Sequence, residues 1–422
     1  MALPASGQID FGQIQTEFGG SNPISMNEYG DKIGLTVGTT STHDIAGFYG
    51  LSAMSSISLG SSNITYSGYE NEAAAFDPNN AGKFVIAMGK KSPSYVGKAV
   101  LGTVSGTSIS FGGAANFNDG NVDGVSIAFD PNTPNKFVIA YEDPDENDGV
   151  AIVGTISGTS ISFGTPVIFN SIWCEDTCIV FDPHNANKFV ITYSNYITSP
   201  VPWIPGHWAT VARVGTVSGT TCSFGDEVEI ENQKNTNMAL DFDPNTANRF
   251  AVILARSSAL ARAKVGTLSG TSISFGSEIT LPHTSTSYDN QMSFDPNDSD
   301  KFITAWKDSG GGATAVGTVS GTSTSFGTVQ YFTTDGCSNI DVEFNPNVEG
   351  EFVISFINDD YEGSVIPGSV SGTTCSFGDE VEFDDAWWAD ETWVIFDPNT
   401  SGKFVVTYAS TGNVRARVGT LS

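Results

Sequence analysis

Four histidines, five cysteines and 47 acidic residues are the groups from which this chain could assemble a catalytic or metal centre. The histidines are His43, His184, His207 and His283, and no pair has metal-site or nucleophile–base–acid spacing. The cysteines are odd in number and lack the spacing of a disulfide framework. Cys222 and Cys375 stand where other copies of the same phrase carry Ile, so they read as small apolar core residues. Cys174 and Cys178 are too few for a zinc site. Arg213, Arg249, Arg256, Arg262, Arg415 and Arg417 fall mostly in repeated strands or turns, not gathered on variable loops as a carboxylate-binding cluster would require. Carboxylates are so numerous that pairs of them say nothing about glycoside hydrolysis. The expectation is a protein that is not an enzyme and needs no cofactor.

Aromatic residues carry the sharper signal. The stretch from Ser194 to Trp208 holds three prolines, Tyr196, Trp203, His207 and Trp208, and Trp173 lies shortly before it. A second stretch, Asp384 to Glu391, contains Trp387 and Trp388 side by side. Stiff aromatic surfaces bind sugar rings and protein hot spots. The candidate ligand-binding residues are therefore Trp173, Trp203, His207, Trp208, Trp387 and Trp388. The competing reading folds the aromatics of the longer stretch back over the body of the protein as a plug.

Two acidic stretches offer hard oxygen ligands: Asp143, Asp145 and Asp148 in one, Asp359 and Asp360 in the other. Neither has the spacing of a twelve-residue calcium loop, so solvated turns are the favoured reading and no metal site is assigned. The net charge of −29 argues against nucleic acid or an anionic membrane as partner. No charged-then-apolar leader opens the chain and no apolar run reaches about 18 residues, so synthesis in a cytoplasm is expected, without standard export or membrane insertion.

The elements that must position these residues are set by a repeat. Phe129-Asp130-Pro131-Asn132, followed by Lys136-Phe137-Val138-Ile139, recurs from Phe76, Phe181, Phe242, Phe294, Phe344 and Phe396. The intervals are 53, 52, 61, 52, 50 and 52 residues, and a period of this size marks a repeat architecture. The copy from Gly124 to Phe169 parses into four strands: Val125 to Phe129, Phe137 to Tyr141, Val150 to Ile156, and Ser160 to Phe169, broken near Gly164. The second strand is apolar on both faces, so its sheet is covered on both sides. Four-stranded sheets stacked about an axis meet that condition, which predicts an all-β, seven-bladed β-propeller. Asp130 can accept a backbone bond in its turn, and Ser157-Gly158-Thr159 is a tight hairpin with glycine at positive φ.

The last copy ends at Ser422 without its fourth strand, while Ser56-Ile57-Ser58-Leu59-Gly60 and Ile64-Thr65-Tyr66 lie unattached near the start. These segments are predicted to complete the last blade and close the ring. The domains read as 1–53, a segment of short capped helical turns for assembly or attachment, and 54–422, the propeller. Strand order puts the Asp-Pro-Asn and Ser-Gly-Thr turns at one end and the differing loops at the other, where function is expected.

The opening residues carry a resemblance. Met1 to Gly7, Glu17 to Tyr29 and Ile45 to Gly50 resemble the Met-Ala-Leu-Pro, Glu-Phe-Gly-Gly-Ser-Asn-Pro-Ile-Ser-Met and Phe-Tyr-Gly phrases of structural and tail-fibre-type proteins of marine and other bacteriophages. The match covers about 50 of the residues and implies a virion context, not an activity. The repeat is similar to generic propeller repeats and lacks the Trp-Asp of WD40 blades and the sialidase Asp box, so no functional residue carries over from either. The resemblance implies a virion protein, made in the host cytoplasm. Residues 1–50 would bind other virion proteins or sister chains, as a homo-oligomer in the particle. The propeller would then present its variable loops to a host-surface glycan or protein. The alternatives are a purely structural virion protein and, third, a polysaccharide-trimming enzyme.

Overall fold

The computed structural model describes residues 55–90, 95–197, 206–256, 259–283, 288–384 and 389–422. The expected helical turns and assembly role of residues 1–53 lie outside these. Among the described residues the strands form seven five-stranded antiparallel sheets, one per repeat, arranged as a seven-bladed propeller. Blade two shows the pattern. Its strands are Asp123–Phe129 at the channel, Lys136–Asp143, Asp148–Ser157, and an outer strand split into Ser160–Phe163 and Val167–Asn170. Both pieces of the split strand pair with Asp148–Ser157, so the break expected near Gly164 is present.

The second strand explains the stacking. Phe137, Val138, Ile139 and Ala140 are all fully buried, with side chains alternating into the two neighbouring interfaces. The ring of Phe137 lies against Gly154 on the next strand, where a Cβ would overlap the ring.

The ring closes as expected. Ile57–Leu59 pairs with the last strand, Asn413–Leu421, with Ile57 opposite Leu421 and Leu59 opposite Gly419. Asn63–Ser67 pairs with the same strand further along. Arginines show that these N-terminal residues occupy the standard place. In blade three Arg213 Nε donates to the Gly225 carbonyl at 3.0 Å and Nη1 to that of Phe169. In blade seven Arg417 makes the matching bonds, to Gly60 at 3.0 Å and to Phe383.

The Asp-Pro-Asn turn does more than close a hairpin, and here the structure extends the sequence reading. Asp130 is fully buried, and its Oδ1 accepts the Asn132 amide at 2.9 Å within the turn. Its Oδ2 accepts the Asn187 amide of the next blade, also at 2.9 Å. Asp295 does the same for Gly350 at 2.8 Å, and Asp397 for Gly82 at 2.8 Å across the closing junction. The donating residues Asn187, Gly350 and Gly82 have φ of +65°, +72° and +70°, the conformation that suits Asn and Gly. The third residue of the turn adds a second link. Asn132 Nδ2 donates to the Pro183 carbonyl at 3.1 Å, and Asn79, Asn297, Asn347 and Asn399 each reach the following proline at 3.1–3.3 Å. Asn245 reaches Asp295 O at 3.1 Å. Lys136 Nζ continues the pattern to the Gly219 carbonyl of the neighbouring hairpin at 2.8 Å. That hairpin glycine sits at φ +64°.

The other edge of each blade faces the channel, and several junctions carry a further device there. An inner strand leaves amides without a partner strand. Side chains of the preceding blade cap them. Ser126 Oγ accepts from Ile179 N at 3.2 Å, Asp241 from Phe294 N at 2.8 Å, Asp341 from Val394 N at 2.8 Å and Glu343 from Phe396 N at 2.9 Å.

One turn lacks its link. His184 replaces the Asn between blades three and four, and its amide still bonds Asp182 at 2.9 Å, as its position in the repeat implies. Among the described residues its side chain makes no bond to the next turn. Replacing His184 by Asn supplies that bond and is expected to raise stability by about 1 kcal/mol in chemical denaturation. An unchanged denaturation midpoint would show that the turn-to-turn bond carries no weight.

Candidate functional site

The variable loops gather at the end opposite the linked turns, and blade three stands out there. Its middle strands, Lys188–Ile197 and His207–Ser218, run for ten and twelve residues, against eight and ten in blade two. Part of the stretch read as loop is therefore strand: Tyr196 pairs with Trp208 and Ile197 with His207. Paired residues on neighbouring strands share a face. The Tyr196 and Trp208 rings meet edge-on, with centroids 5.6 Å apart at 71°. Trp173, just before the first strand of the blade, packs its ring 6.4 Å from Trp208 at 63° and is 57% exposed. Its carbonyl accepts the Tyr196 amide at 3.3 Å, which ties the loop to the hairpin.

A cation completes the platform. Lys234, in the segment entering blade four, places Nζ 4.4 Å from the centre of the Trp208 ring. Glu175, two residues after Trp173, forms an ion pair with the same ammonium. The carboxylate holds the lysine over the indole face, where the ring quadrupole attracts it.

Acids lie beneath. Glu142, at the end of the second strand of blade two, accepts the Asp176 amide at 2.7 Å. Burial raises its pKa to about 8, with the charges of Asp123 and Asp176 adding to the effect. Burial also raises Asp176 to about 6, opposed by the nearby Lys234 ammonium. Asp176 itself sits at φ +57°, on a bulge of the inner strand. The assembly offers an exposed aromatic edge, a fixed cation and carboxylates, which suits a ligand with apolar faces and hydroxyl groups.

Of the residues named from sequence, Trp173 and Trp208 come together. His207 is exposed beside them, on the opposite face of its strand. Trp203, Trp387 and Trp388 lie outside the described residues. Lys234, Glu175, Glu142 and Asp176 were missed, since each belongs to another strand or blade and only the ring geometry brings them near.

The acidic loops work as clasps. Asp145 accepts the Asn121 amide at 3.0 Å and Asp359 accepts that of Gly336 at 2.9 Å, each pinning the loop that enters its own blade. Asp143 accepts the Asp145 amide at 3.1 Å, and Asn358 accepts that of Asp360 at 3.0 Å. Asp148 begins the third strand of blade two. Among the described residues no group of three or more His, Cys, Asp or Glu is arranged for a metal ion. The cysteines are all free, and Cys222 is buried in a core cluster. Two arginines do converge in blade four. Arg256 and Arg262 both bind Glu231, at 2.9 and 2.6 Å, so their charge is spent on the protein's own carboxylate.

The Glu142 environment has a consequence for pH. Between about 4.5 and about 8 the folded chain keeps a proton that the unfolded chain has lost, so stability falls as pH rises through that window. Glu142→Gln keeps an acceptor for Asp176 and does not titrate. Its stability advantage over the parent is expected to grow from about pH 5 to about pH 8.5, on the order of 3 kcal/mol. A pH-independent difference in thermal melts would refute the burial of this carboxylate.

No family model matches this chain, and no curated protein matches it. Solved structures do. The BP39L lectin from Burkholderia pseudomallei is similar with a TM-score of 0.61 at 10% identity, over 85% of this chain and 97% of the lectin. A protein from Lactobacillus plantarum matches at 0.50 and 13% identity, over 79% and 94% of the two chains. Sqt1 from Chaetomium thermophilum matches at 0.50 and 12%, over 85% and 99%. At these identities the likeness shows the shared propeller fold.

Proposed function

We propose that this chain is a recognition propeller whose variable end binds a surface glycan, carried on a phage virion by its first 50 or so residues. The observation that carries the binding reading is the Trp173–Trp208–Tyr196 platform with Lys234 held over Trp208. An exposed indole stacks on the apolar face of a sugar ring, and neighbouring charged groups hydrogen-bond its hydroxyls. The lectin from Burkholderia pseudomallei shares this fold, which supports the binding reading. The virion setting rests on the resemblance of Met1 to Gly7 and Glu17 to Tyr29 to phage structural proteins. In this reading the protein binds without catalysis, and residues 1–50 hold it to other virion proteins or sister chains.

The test is binding to an array of bacterial surface polysaccharide fragments, with antibody labelling of purified particles. The Trp173→Ala, Trp208→Ala double variant is expected to lose about tenfold or more in affinity while retaining its cooperative melt. Lys234→Ala is expected to lose less, about threefold. Unchanged binding by a folded double variant would remove the platform from the site. A chain absent from particles would remove the virion setting.

A further inference from the structure

Backbone strain marks a second place at the same end of the ring. Eleven non-glycine residues among those described have positive φ, and eight of them are Asn or Asp. The other three are Tyr361 at +62°, Glu391 at +44° and Thr411 at +53°. All three line one pocket of about 540 Å³ between blades six and seven. This conformation is poor for bulky and β-branched side chains, and such outliers gather at functional sites.

Each has a cheaper equivalent in the same protein. Glu391 occupies the inner-strand bulge where other blades place Gly124, Asp176, Asp289 or Asn339. Thr411 and Gly412 form the tight turn between the strands Lys403–Ser410 and Asn413–Leu421, with φ of +53° and +71°. Asn-Gly is the favoured pair for a turn with both central φ positive. Tyr361 sits in the second-to-third loop of blade six, where the corresponding loop of blade two uses Asn147 at +60°. At all three positions a longer or branched side chain replaces one that fits the backbone better.

The pocket also holds an unused hydrogen-bonding group. Ser410 is 1% exposed, lines the pocket, and its Oγ has no partner. A buried hydroxyl without a partner is costly, and a turn of the Ser410 side chain toward the pocket would let a ligand hydroxyl satisfy it. Ile357 and Ala409 give the pocket apolar wall, while the Tyr361 side chain is 62% exposed. Glu391 and Asn339 add a carboxylate and an amide, and among the described residues no lysine or arginine lines the pocket.

We propose that this pocket binds one pyranose unit of a neutral glycan. A pyranose has an apolar face for the Tyr361 ring and equatorial hydroxyls for Ser410, Asn339 and Glu391. The volume is within the range of small-molecule sites. An acidic sugar would bring its carboxylate beside Glu391 with no cation to offset it. Blades six and seven lie across the ring from blade three, so the pocket is a second subsite of the glycan-binding end. This extends the proposed function, yet it stands on different residues.

Ser410→Ala removes the hydroxyl without breaking any hydrogen bond of the protein's own. The probes are the methyl glycosides of glucose, galactose, mannose, fucose and N-acetylglucosamine, titrated by calorimetry and ligand-observed NMR. At least one is expected to bind both the intact chain and the Trp173→Ala, Trp208→Ala variant. Ser410→Ala is expected to weaken that binding by about fivefold or more, and Tyr361→Ala by about tenfold. Tyr361→Phe, which keeps the ring, is expected to lose less than Tyr361→Ala. Binding that survives both Ser410→Ala and Tyr361→Ala would overturn the subsite. So would the failure of every probe to bind the intact chain at about 10 mM, the limit of a weak single-sugar site. Loss in the double Trp variant alone would leave the platform standing and sink this pocket.

Discussion

A buried carboxylate that accepts two backbone amides, one in its own turn and one from the next blade, is the interaction on which the rest of this structure depends. Asp130 is the clearest case, with Asn132 and Asn187 each at 2.9 Å. Propeller blades are otherwise joined by side-chain packing, which is strong and weakly directional. Amide-to-carboxylate bonds add direction, and with it a defined angle from one blade to the next. The flanking Asn and Lys contacts repeat the link at neighbouring depths. Repetition of the phrase in sequence is thus the consequence of a repeated junction in space.

Holding the ring from one end frees the other. The opposite loops need only return the chain to its sheet, and they differ from blade to blade. Blade three spends its longer hairpin on lifting Tyr196 and Trp208 into reach of Trp173 and Lys234. Blades six and seven spend backbone strain on Tyr361, Glu391 and Thr411. The acidic residues are divided in the same way. At the linked end they are structural acceptors, in the channel they cap strand edges, and on the variable loops Asp145 and Asp359 clasp neighbouring turns.

Much of this fold was legible because its signals are local and repeated. Alternation in Phe137 to Tyr141, the Gly158 turn and the stray Ser56–Gly60 strand each follow from chemistry within a few residues or from the repeat register. What escaped reading is what depends on the angle between blades. The Asp130 turn announced its bond to Asn132, while the bond to Asn187 needs the next blade in place. Lys234 and Trp208 are 26 residues apart and meet only once blades three and four are stacked. Asp143 and Asp145 read as solvated turn residues because type and spacing do not show which carboxylates are already engaged by backbone amides. The strain at Tyr361 and Thr411 had no sequence signal beyond the absence of Asn or Gly where a turn calls for them.

The central claim is that constant turns hold the ring by carboxylate bonds across the junctions where Asp130, Asp295 and Asp397 reach the next blade. Equilibrium denaturation of Asp130→Ala against Asp130→Asn tests it most directly. Asn345 shows that an amide can serve the turn, accepting the Asn347 amide at 3.0 Å. The account predicts that Ala, which orphans two buried amides, costs about 2–4 kcal/mol, and that Asn recovers a large part of it. Equal stability of Asp130→Ala and the parent would contradict it.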